Sequence, residues 1–523
     1  MHAAVASEHK TCSNIGARVL QDGGSSVDAA IASTICVGSI NSFSSGIGGG
    51  GFMLIRDANG TSQMIDFRET APGAASEGMF VKDPVSGIFG PLAIAIPGEL
   101  RGLEEAHRQY GKLPWNRLFE PSIALNRNGF PITAIISKRL RTPILTDVLL
   151  RDPGFKEVFA PNGTLLNEGD ICYRPRYAET LEMVSRHGAD AFYKGKVAEW
   201  MVEDIKQLGG IITLKDLSDY KAVLRKTKST YYHGRRIITG GEILNILERY
   251  NFGREDNASR DLEVHRMVEA FKYGFADRGI LGDPGYVKGI NQVAEELMRK
   301  ERSDRIRANI SDERTFPMEY YHPKFLAPEN HGTMHLSVVD GSNQAVSLMS
   351  TVNLYFGSGV MSPKTGVIFN NEMADFSSPN QTNVFDLPAS PNNYIHPGKR
   401  PMSSGTPTIV EKDGKFEMAL GASGGTRIIT AVIQVLLNTL DYDMGLADSV
   451  EVPRVHHQLY PESLSLEDGF PLSTSKFLEA KGHVLEWAPV EKSQSAIQVV
   501  RRLASGIVQA VSDGRKHGLA SAI

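Results

Sequence analysis

The stretch APENHGTMHLSVVDGSNQAVSLMSTVN, residues 327–353, is the most informative part of this sequence. Two runs of mixed apolar and polar residues flank a turn at 340–343. Alternation with a period of two indicates β-strands, and the turn residues between the runs predict a β-hairpin. The first strand begins at Thr333, directly after Gly332. The pattern therefore places a hydroxyl group at the head of a strand, after a residue without a side chain.

The N-terminal part of the chain predicts helices followed by strands. Residues 12–24 form a helical pattern that ends on glycine, and a second helix begins at a serine cap with Asp28 in its first turn. A glycine run then leads into two strands that turn at Asn59-Gly60 and end at Arg68. Residues 95–310 are mostly helical in pattern, with 228–241 the least helical part.

The C-terminal part resumes strand-like patterns. A loop rich in Pro, Asn and Ser covers 376–406, and a second hairpin turns at Asp413-Gly414 before a long helix. Short strands and one helix complete the tail. The whole pattern predicts an α+β protein with antiparallel hairpins and flanking helices.

Length, charge and apolar runs limit the function classes. The chain has 523 residues, 41% hydrophobic and 22% charged, with a net charge of −4. This balance is that of a globular protein, and it lacks the basic footprint of a nucleic-acid partner. No apolar run approaches the roughly 20 residues that span a bilayer, and the first residues lack the apolar stretch of a secretory signal.

Cysteines and glycosylation sequons point weakly to a secretory compartment. The three cysteines fit no metal-binding spacing, so they are either buried thiols or a Cys12–Cys36 disulfide with Cys172 single. Asn-X-Ser/Thr sequons are common by chance, but each is a potential glycan acceptor. They begin at Asn59, Asn162, Asn257, Asn309 and Asn380.

Thr333 has a chemical use beyond structure. A threonine inside a chain is a poor nucleophile because it has no base beside it. Cleavage of the Gly332–Thr333 bond would give Thr333 a free α-amine with a pKa of about 7.7–8.0, which accepts the hydroxyl proton near neutral pH. Attack of the Thr333 hydroxyl on the Gly332 carbonyl would produce such a cleavage. The pair alone does not establish this, because Gly-Thr pairs are common.

Nine further segments place the chain beside a known family. They are GIGGGGFML, DFRETAP, AIPGELRG, LPWNRLFEPSIALNRNGFP and GGIITLKDL before Thr333, and STVN, NNEMADFSS, PGKRPMSSGTPT and GASGGT after it. In this order they resemble the γ-glutamyltransferases, also called glutathione hydrolases, of the N-terminal-nucleophile hydrolase superfamily. The resemblance implies a four-layer αββα sandwich. It also implies self-cleavage into a large subunit region, 1–332, and a small subunit region, 333–523, that stay associated.

The resemblance also implies how a γ-glutamyl substrate such as glutathione is held. The α-carboxylate would be bound by one arginine and two hydroxyls, and the α-ammonium by two acids and an amide. The residues that match these roles are Arg68, Ser403 and Ser404 for the carboxylate, and Glu372, Asp375 and Asn353 for the ammonium.

For the reaction itself, the resemblance implies Thr333 as nucleophile and Thr351 as the group that positions it. Gly424 and Gly425, between a strand and a helix, match the backbone donors of an oxyanion hole. Water or the amine of an amino acid or peptide would accept the glutamyl group. No metal or organic cofactor and no nucleic-acid partner are implied, and the family resemblance implies a location outside the cytoplasm.

Two alternatives stay open. The segment 234–251, GRRIITGGEILNILERYN, is shorter than in related chains, which run through a Pro- and Ser-Gly-rich loop here. The chain could therefore be an uncleaved, catalytically impaired homologue with a binding or structural role. A related acylase that cleaves β-lactam side-chain amides is the other alternative. The acids Glu372 and Asp375 argue against it, because a glutaryl-type substrate has no ammonium group.

Three other residues invite functional roles that the pattern does not support. His265 and Glu269 are spaced i, i+4 on a predicted helix, and without an evident third ligand we expect a pair on the helix surface rather than a metal site. His335 should lie on the same face of the strand as Thr333. We expect His335 to pack rather than to act as a base.

Overall fold

The computed structural model describes residues 2–254, 259–326, 332–380, 387–489 and 495–523. Eighteen strands are assigned within these ranges. In chain order they are β1 (Ala4–Ala6), β2 (Gly50–Arg56), β3 (Ser62–Asp66), β4 (Phe130–Pro131), β5 (Ile171–Cys172), β6 (Val223–Lys226), β7 (Ser229–Tyr232), β8 (Arg235–Ile238), β9 (Met334–Val339), β10 (Ala345–Thr351), β11 (Thr408–Lys412), β12 (Lys415–Ser423), β13 (Val455–His456), β14 (Leu464–Glu467), β15 (Leu485–Ala488), β16 (Ala496–Arg502), β17 (Val508–Ser512) and β18 (Ser521–Ala522).

The α-helices of the described ranges lie mostly in the first two thirds of the chain. In chain order they are α1 (Lys10–Gln21), α2 (Ser26–Ile40), α3 (Glu99–Tyr110), α4 (Trp115–Asn128), α5 (Ala134–Leu140), α6 (Pro143–Arg151), α7 (Pro153–Phe159), α8 (Pro175–His187), α9 (Asp190–Tyr193), α10 (Lys196–Gln207), α11 (Leu214–Asp219), α12 (Glu242–Leu247), α13 (Arg260–Arg278), α14 (Ile290–Leu297), α15 (Lys300–Asn309), α16 (Arg427–Leu440), α17 (Leu446–Glu451) and α18 (Leu472–Ala480).

Two antiparallel sheets form the centre of the molecule. The first has the strand order β18-β1-β9-β10-β2-β3-β6, and the second β17-β16-β12-β11-β8-β7. In the first sheet, β9 and β10 are joined as a hairpin in which Ser347 pairs with Ser337. Strand β1 pairs with both β9 and β18, so the two ends of the chain lie beside the strand that follows Thr333.

Apolar side chains divide the molecule into four layers. Alternate residues of β9 point to opposite faces. Leu336 packs among helices α1 to α11 on one face, whereas Val339 packs between the two sheets. The outer face of the second sheet packs against α12, α13 and α16. The order of layers is helix, sheet, sheet, helix, which confirms the predicted α+β sandwich of αββα type.

The predicted elements around the two hairpins are confirmed. Helix α2 begins at the cap Ser25, whose side chain and that of Asp28 form a reciprocal capping box. The hairpin β11–β12 turns at Asp413-Gly414, and β12 leads into α16. The tail differs from the prediction in having two helices, α17 and α18. Only one helix was predicted there, because both helices are short and α17 closely follows α16.

Cys12 and Cys36 form a disulfide between α1 and α2, which settles the alternatives for the cysteines. Cys172 is buried, and burial raises the pKa of its thiol to about 12. None of the helices in the described ranges is long and apolar enough to cross a bilayer.

Candidate active site

The Thr333 hydroxyl is buried and oriented by the neighbouring strand. Thr333 precedes β9 by one residue, and its Oγ1 donates a hydrogen bond to Oγ1 of Thr351 at the end of β10, over 3.2 Å. Thr351 Oγ1 also accepts a hydrogen bond from the backbone N–H of Asn353 at 2.8 Å. The bond from Asn353 holds Thr351 Oγ1 in place, and this oxygen in turn orients the Thr333 hydroxyl. Thr351 therefore needs no acid–base role.

The peptide bond before Thr333 has an unusual geometry. Gly332 has a φ of 111° and Thr333 a φ of 79°. A β-branched residue with positive φ is strained, and such strain concentrates at functional sites. A Cβ on Gly332 would lie 1.7 Å from the carbonyl oxygen of Asn353, so only glycine fits there.

A backbone donor lies on the carbonyl of this same peptide bond. The N–H of Gly424, in the turn between β12 and α16, donates a hydrogen bond to the Gly332 carbonyl oxygen at 3.1 Å. Gly424 and Gly425 have φ values of 114° and 62°, which favour glycine at both positions. The predicted oxyanion donor Gly424 thus contacts the carbonyl that self-cleavage would attack. Gly425 follows it in the same turn.

The charged residues predicted for the two ends of the substrate lie together. Nη1 of Arg68 is 2.5 Å from Oε1 of Glu372, and Nη2 is 2.5 Å from Oδ2 of Asp375. Asn353 Nδ2 donates a hydrogen bond to Asp375 Oδ1 at 2.9 Å. All four side chains are buried. The cation and the two anions that pair with each other here are complementary to the carboxylate and the ammonium of an amino acid.

Ser403 and Ser404 lie on the arginine side of this cluster. Arg68 Nη2 donates a hydrogen bond to the carbonyl of Met402, directly before the two serines, at 3.0 Å. Arg278 Nη2 donates to Ser404 Oγ at 2.8 Å. Since arginine only donates, the hydroxyl hydrogen of Ser404 remains available for another acceptor. The Ser404 hydroxyl thus lies two residues along the chain from the carbonyl that Arg68 contacts.

Burial controls the protonation of the acidic cluster. Burial by itself would lower the pKa of Arg68, but Glu372 and Asp375 raise it above its usual value, so Arg68 stays charged. Burial raises the pKa of Glu69, beside Arg68, to about 8, and that of Glu99 to about 7. An ammonium group entering the cluster would lower the pKa of these acids and would be stabilised by their ionisation.

Two further residues contact the nucleophile, and no motif in the sequence pointed to them. Lys516 Nζ donates a hydrogen bond to the Thr333 carbonyl oxygen at 2.8 Å and pairs with Glu8 at 3.0 Å. Both lie near a chain end, where charged residues are usually solvated, and only the pairing of β1 with β9 brings them to Thr333. Arg278, at the end of α13, was also missed, because its contact with Ser404 joins residues far apart in the chain.

The prediction of a surface pair at His265 and Glu269 was wrong. Both side chains are fully buried, and His483 from beyond α18 lies against them. His265 Nδ1 and His483 Nε2 are 2.8 Å apart as a hydrogen-bonded pair, and Glu269 accepts hydrogen bonds from Thr315 and Tyr321. Helix α13 is buried on several sides, so its i, i+4 spacing did not show that this pair faces the protein interior.

His335 packs as predicted. Its side chain is 1% exposed between the sheets, beside the hydroxyls of Ser337 and Ser347, and burial lowers its pKa to about 3. The imidazole is therefore neutral near pH 7.

Two sheets packed between helical layers, with a threonine at the head of a central strand, define the class of N-terminal-nucleophile hydrolases. A cephalosporin acylase from Bacillus halodurans has the same fold, with a TM-score of 0.85 over 99% of this chain and 95% of that chain, at 24% identity.

The family model described as Gamma-glutamyltranspeptidase matches residues 12–523. Two relatives from Schizosaccharomyces pombe, glutathione hydrolase proenzymes 1 and 2, are 42% and 45% identical. The alignments cover 100% and 99% of this chain and 84% and 86% of the relatives. The chain belongs to the gamma-glutamyltranspeptidase family and is an enzyme.

Proposed function

We propose that this enzyme cleaves the γ-glutamyl amide bond of glutathione and related compounds through an ester on Thr333, after cutting its own chain before that residue. The hydrogen bond from Gly424 to the carbonyl before Thr333, beside the oriented Thr333 hydroxyl, is the observation that supports this most directly. Membership of the family supports the substrate class, since relatives at 42% and 45% identity are named glutathione hydrolases.

Self-cleavage begins with attack of Thr333 Oγ1 on the Gly332 carbonyl carbon. Gly424 N–H stabilises the negative charge that develops on the carbonyl oxygen. The C–N bond breaks, the nitrogen takes a proton and becomes the α-amine of Thr333, and Gly332 is left as an ester on Oγ1. Water then hydrolyses the ester. The strained φ of Thr333 is relieved when the chain is cut, which favours the reaction.

The products would be a large subunit, residues 1–332, and a small subunit, residues 333–523. Each sheet contains strands of both regions: β9 lies between β1 and β10 in the first sheet, and β11 pairs with β8 in the second. Separation of the subunits would expose both sheet interiors. The subunits are therefore expected to remain associated after cleavage.

Glutamyl transfer would reuse the same groups. The γ-carbonyl of the substrate occupies the position of the Gly332 carbonyl, with its oxygen towards Gly424. The Thr333 α-amine accepts the hydroxyl proton as Oγ1 attacks, and the leaving amine receives a proton as cysteinylglycine departs. Water or an amino acid or peptide amine then attacks the ester. Every proton transfer uses a group of the chain or the substrate.

Recognition of the glutamyl zwitterion would use the two sides of the buried cluster. Arg68, Ser403 and Ser404 bind the α-carboxylate, with Arg68 providing a planar pair of donors. Glu372 and Asp375 accept hydrogen bonds from the α-ammonium, and Asn353 holds Asp375 in place through the contact described above. This arrangement favours γ-glutamyl amides over the acyl groups that a β-lactam acylase would bind, because those lack the ammonium.

An extracytoplasmic location is part of the proposal. The Cys12–Cys36 disulfide supports it, because disulfides persist in oxidising compartments. Sequon asparagines at Asn59, Asn162, Asn309 and Asn380 are exposed, whereas Asn257 lies outside the described residues. Expression through a eukaryotic secretory pathway, with intact mass measured before and after enzymatic deglycosylation, tests the glycan sites.

Intact mass after incubation at neutral pH tests self-cleavage, and hydrolysis of a γ-glutamyl anilide tests the activity. We expect two fragments, with Thr333 at the N-terminus of the smaller, and release of the aniline. A single silent chain would favour the uncleaved homologue instead. A cleaved protein that hydrolyses glutaryl but not γ-glutamyl anilides would favour the acylase.

A further inference from the structure

A buried ion pair from the two ends of the chain contacts the nucleophile. Lys516 ends a turn, Gly514–Lys516, five residues before the start of β18, and Glu8 follows β1. Lys516 Nζ is 3.0 Å from Glu8 Oε1 and 3.1 Å from Oε2, and its third hydrogen bond, at 2.8 Å, goes to the Thr333 carbonyl oxygen. All three residues are buried.

Neighbouring contacts hold Lys516 in this position. Asp513 pairs with the guanidinium groups of Arg454 and Arg515, and its carboxylate also accepts a hydrogen bond from the N–H of Ile497 at 2.9 Å. The turn that bears Lys516 is therefore anchored to the second sheet, while Glu8 continues from the first. The ammonium group has little freedom to move away from Thr333.

Removing two charges from water is costly, and fold stability does not require such a pair, since apolar replacements often serve equally well. Burial lowers the pKa of Lys516 and raises that of Glu8, and each charge partly offsets the effect on the other. Among the described residues, this pair differs from the other buried ion pairs in its third contact, which is with Thr333.

We propose that Lys516, with Glu8 as its counter-ion, is a positioning residue for the nucleophile. Its hydrogen bond fixes the Thr333 carbonyl, and with it the rotation of the Thr333 backbone that aims Oγ1 at the carbonyl under attack. The role applies to self-cleavage and to glutamyl transfer, and so rests on the function proposed above. After cleavage the pair also connects the large subunit, through Glu8, with the small subunit, through Lys516.

The test compares E8Q with the double variant E8Q/K516M. E8Q removes the counter-ion and keeps the amine that donates to Thr333, whereas E8Q/K516M removes the donor too and leaves no buried charge unpaired. The two proteins therefore differ by the amine alone. The rate of self-cleavage is followed by intact mass, and kcat and KM of the cleaved fraction are measured with a γ-glutamyl anilide.

We expect E8Q, which loses the counter-ion but keeps the amine that donates to Thr333, to lose only part of the parental rate of self-cleavage. E8Q/K516M should cleave itself about 10- to 100-fold more slowly, with kcat lower by a similar factor and KM unchanged, as loss of one hydrogen bond from a charged donor predicts. K516R, which keeps a cationic donor, should recover part of the rate. R56M/E411Q removes another buried pair far along β2, and should lower thermal stability without changing kcat.

Equal rates for E8Q and E8Q/K516M would overturn the inference, as would a loss that appears only in thermal stability or KM. If the parent chain itself is uncleaved and inactive, the proposed function falls, and the inference falls with it. If the parent is cleaved and active while the variants match it, the inference alone falls.

Discussion

The β9–β10 hairpin and the segment 234–251 differ in how tightly they are packed. Every residue of the strands β9 and β10 is buried, and the hydroxyls of Thr333 and Thr351 are at hydrogen-bond distance. The segment 234–251 passes from β8 to α12 through only three residues, Thr239 to Gly241. Beside it lies a largely apolar cavity of about 310 Å³, lined also by Met402 to Thr406.

The difference in packing separates two tasks of the candidate site, self-cleavage at Thr333 and binding of the substrate carboxylate. The nucleophile is held by β10 at the centre of the first sheet and by Lys516 near one chain end. Ser403 and Ser404, which would bind the substrate carboxylate, line the cavity. Their loop is therefore packed less tightly than the strands that hold Thr333. We therefore expect the shortening to reduce substrate affinity more than self-cleavage.

Thr333→Ala should abolish both reactions. Without the hydroxyl no ester can form, so self-cleavage should stop and anilide hydrolysis should fall by at least about 10⁴-fold. Intact mass and the anilide assay measure the two effects. Thr333→Ser, which keeps the hydroxyl, is the matched control and should retain measurable cleavage. A Thr333→Ala protein that is processed like the parent would refute the role of this residue.

Arg68→Lys should separate substrate binding from self-cleavage. Lysine keeps the charge but loses the planar pair of donors, so kcat/KM for the anilide should fall by about 100-fold, chiefly through KM. Self-cleavage uses no substrate carboxylate and should proceed at the parental rate, as intact mass would show. Arg56→Lys, at another buried arginine, controls for the loss of packing. Equal slowing of cleavage in Arg68→Lys would contradict the division of tasks.

His335 should make the tightly packed hairpin sensitive to acid. Burial lowers its pKa from 6.5 to about 3, so between these values the unfolded chain binds a proton that the folded chain does not. The stability due to neutral His335 is present above pH 6.5 and is lost as pH falls, by about 2 kcal/mol at pH 5.

Urea unfolding of His335→Gln at pH 7 and pH 5 measures this contribution. The difference in unfolding free energy between the two pH values should be about 2 kcal/mol smaller than in the parent. His187→Gln, at an exposed histidine of α8, should leave the difference as it is in the parent. If His335→Gln also leaves it unchanged, the imidazole is solvated in solution and the hairpin is less tightly packed than described.

Filling the cavity should give the smallest effect. Ala294 of α14 lines it and is half-buried, so Ala294→Leu adds apolar atoms to the empty space. The unfolding free energy should rise by about 1–2 kcal/mol, and KM should fall as the serine loop gains support. Ala308→Leu, exposed on α15, is the control and should do neither. A loss of stability in Ala294→Leu would show that the cavity cannot accept a larger side chain.

Much of the fold could be predicted from local pattern. The hairpins, the cap of α2 and the strand-to-helix turn at Gly424 depend on neighbouring residues, and each was found where the sequence placed it. His265 and Glu269 were misjudged because spacing on one helix does not show what packs against it. The pairing of Cys12 with Cys36 stayed open for a similar reason, since two cysteines do not reveal the packing of α1 on α2.

The sequence by itself determined the family and the positions of the candidate nucleophile and the candidate substrate-binding residues, because these lie in short contiguous motifs. Only the tertiary structure decided that Gly424 contacts the Gly332 carbonyl, that Arg278 supports Ser404, and that Lys516 and Glu8 meet at Thr333. The last contact joins residues 508 positions apart. Such contacts arise from strand order, with β1 between β18 and β9, and strand order is fixed by the packing of the whole sheet.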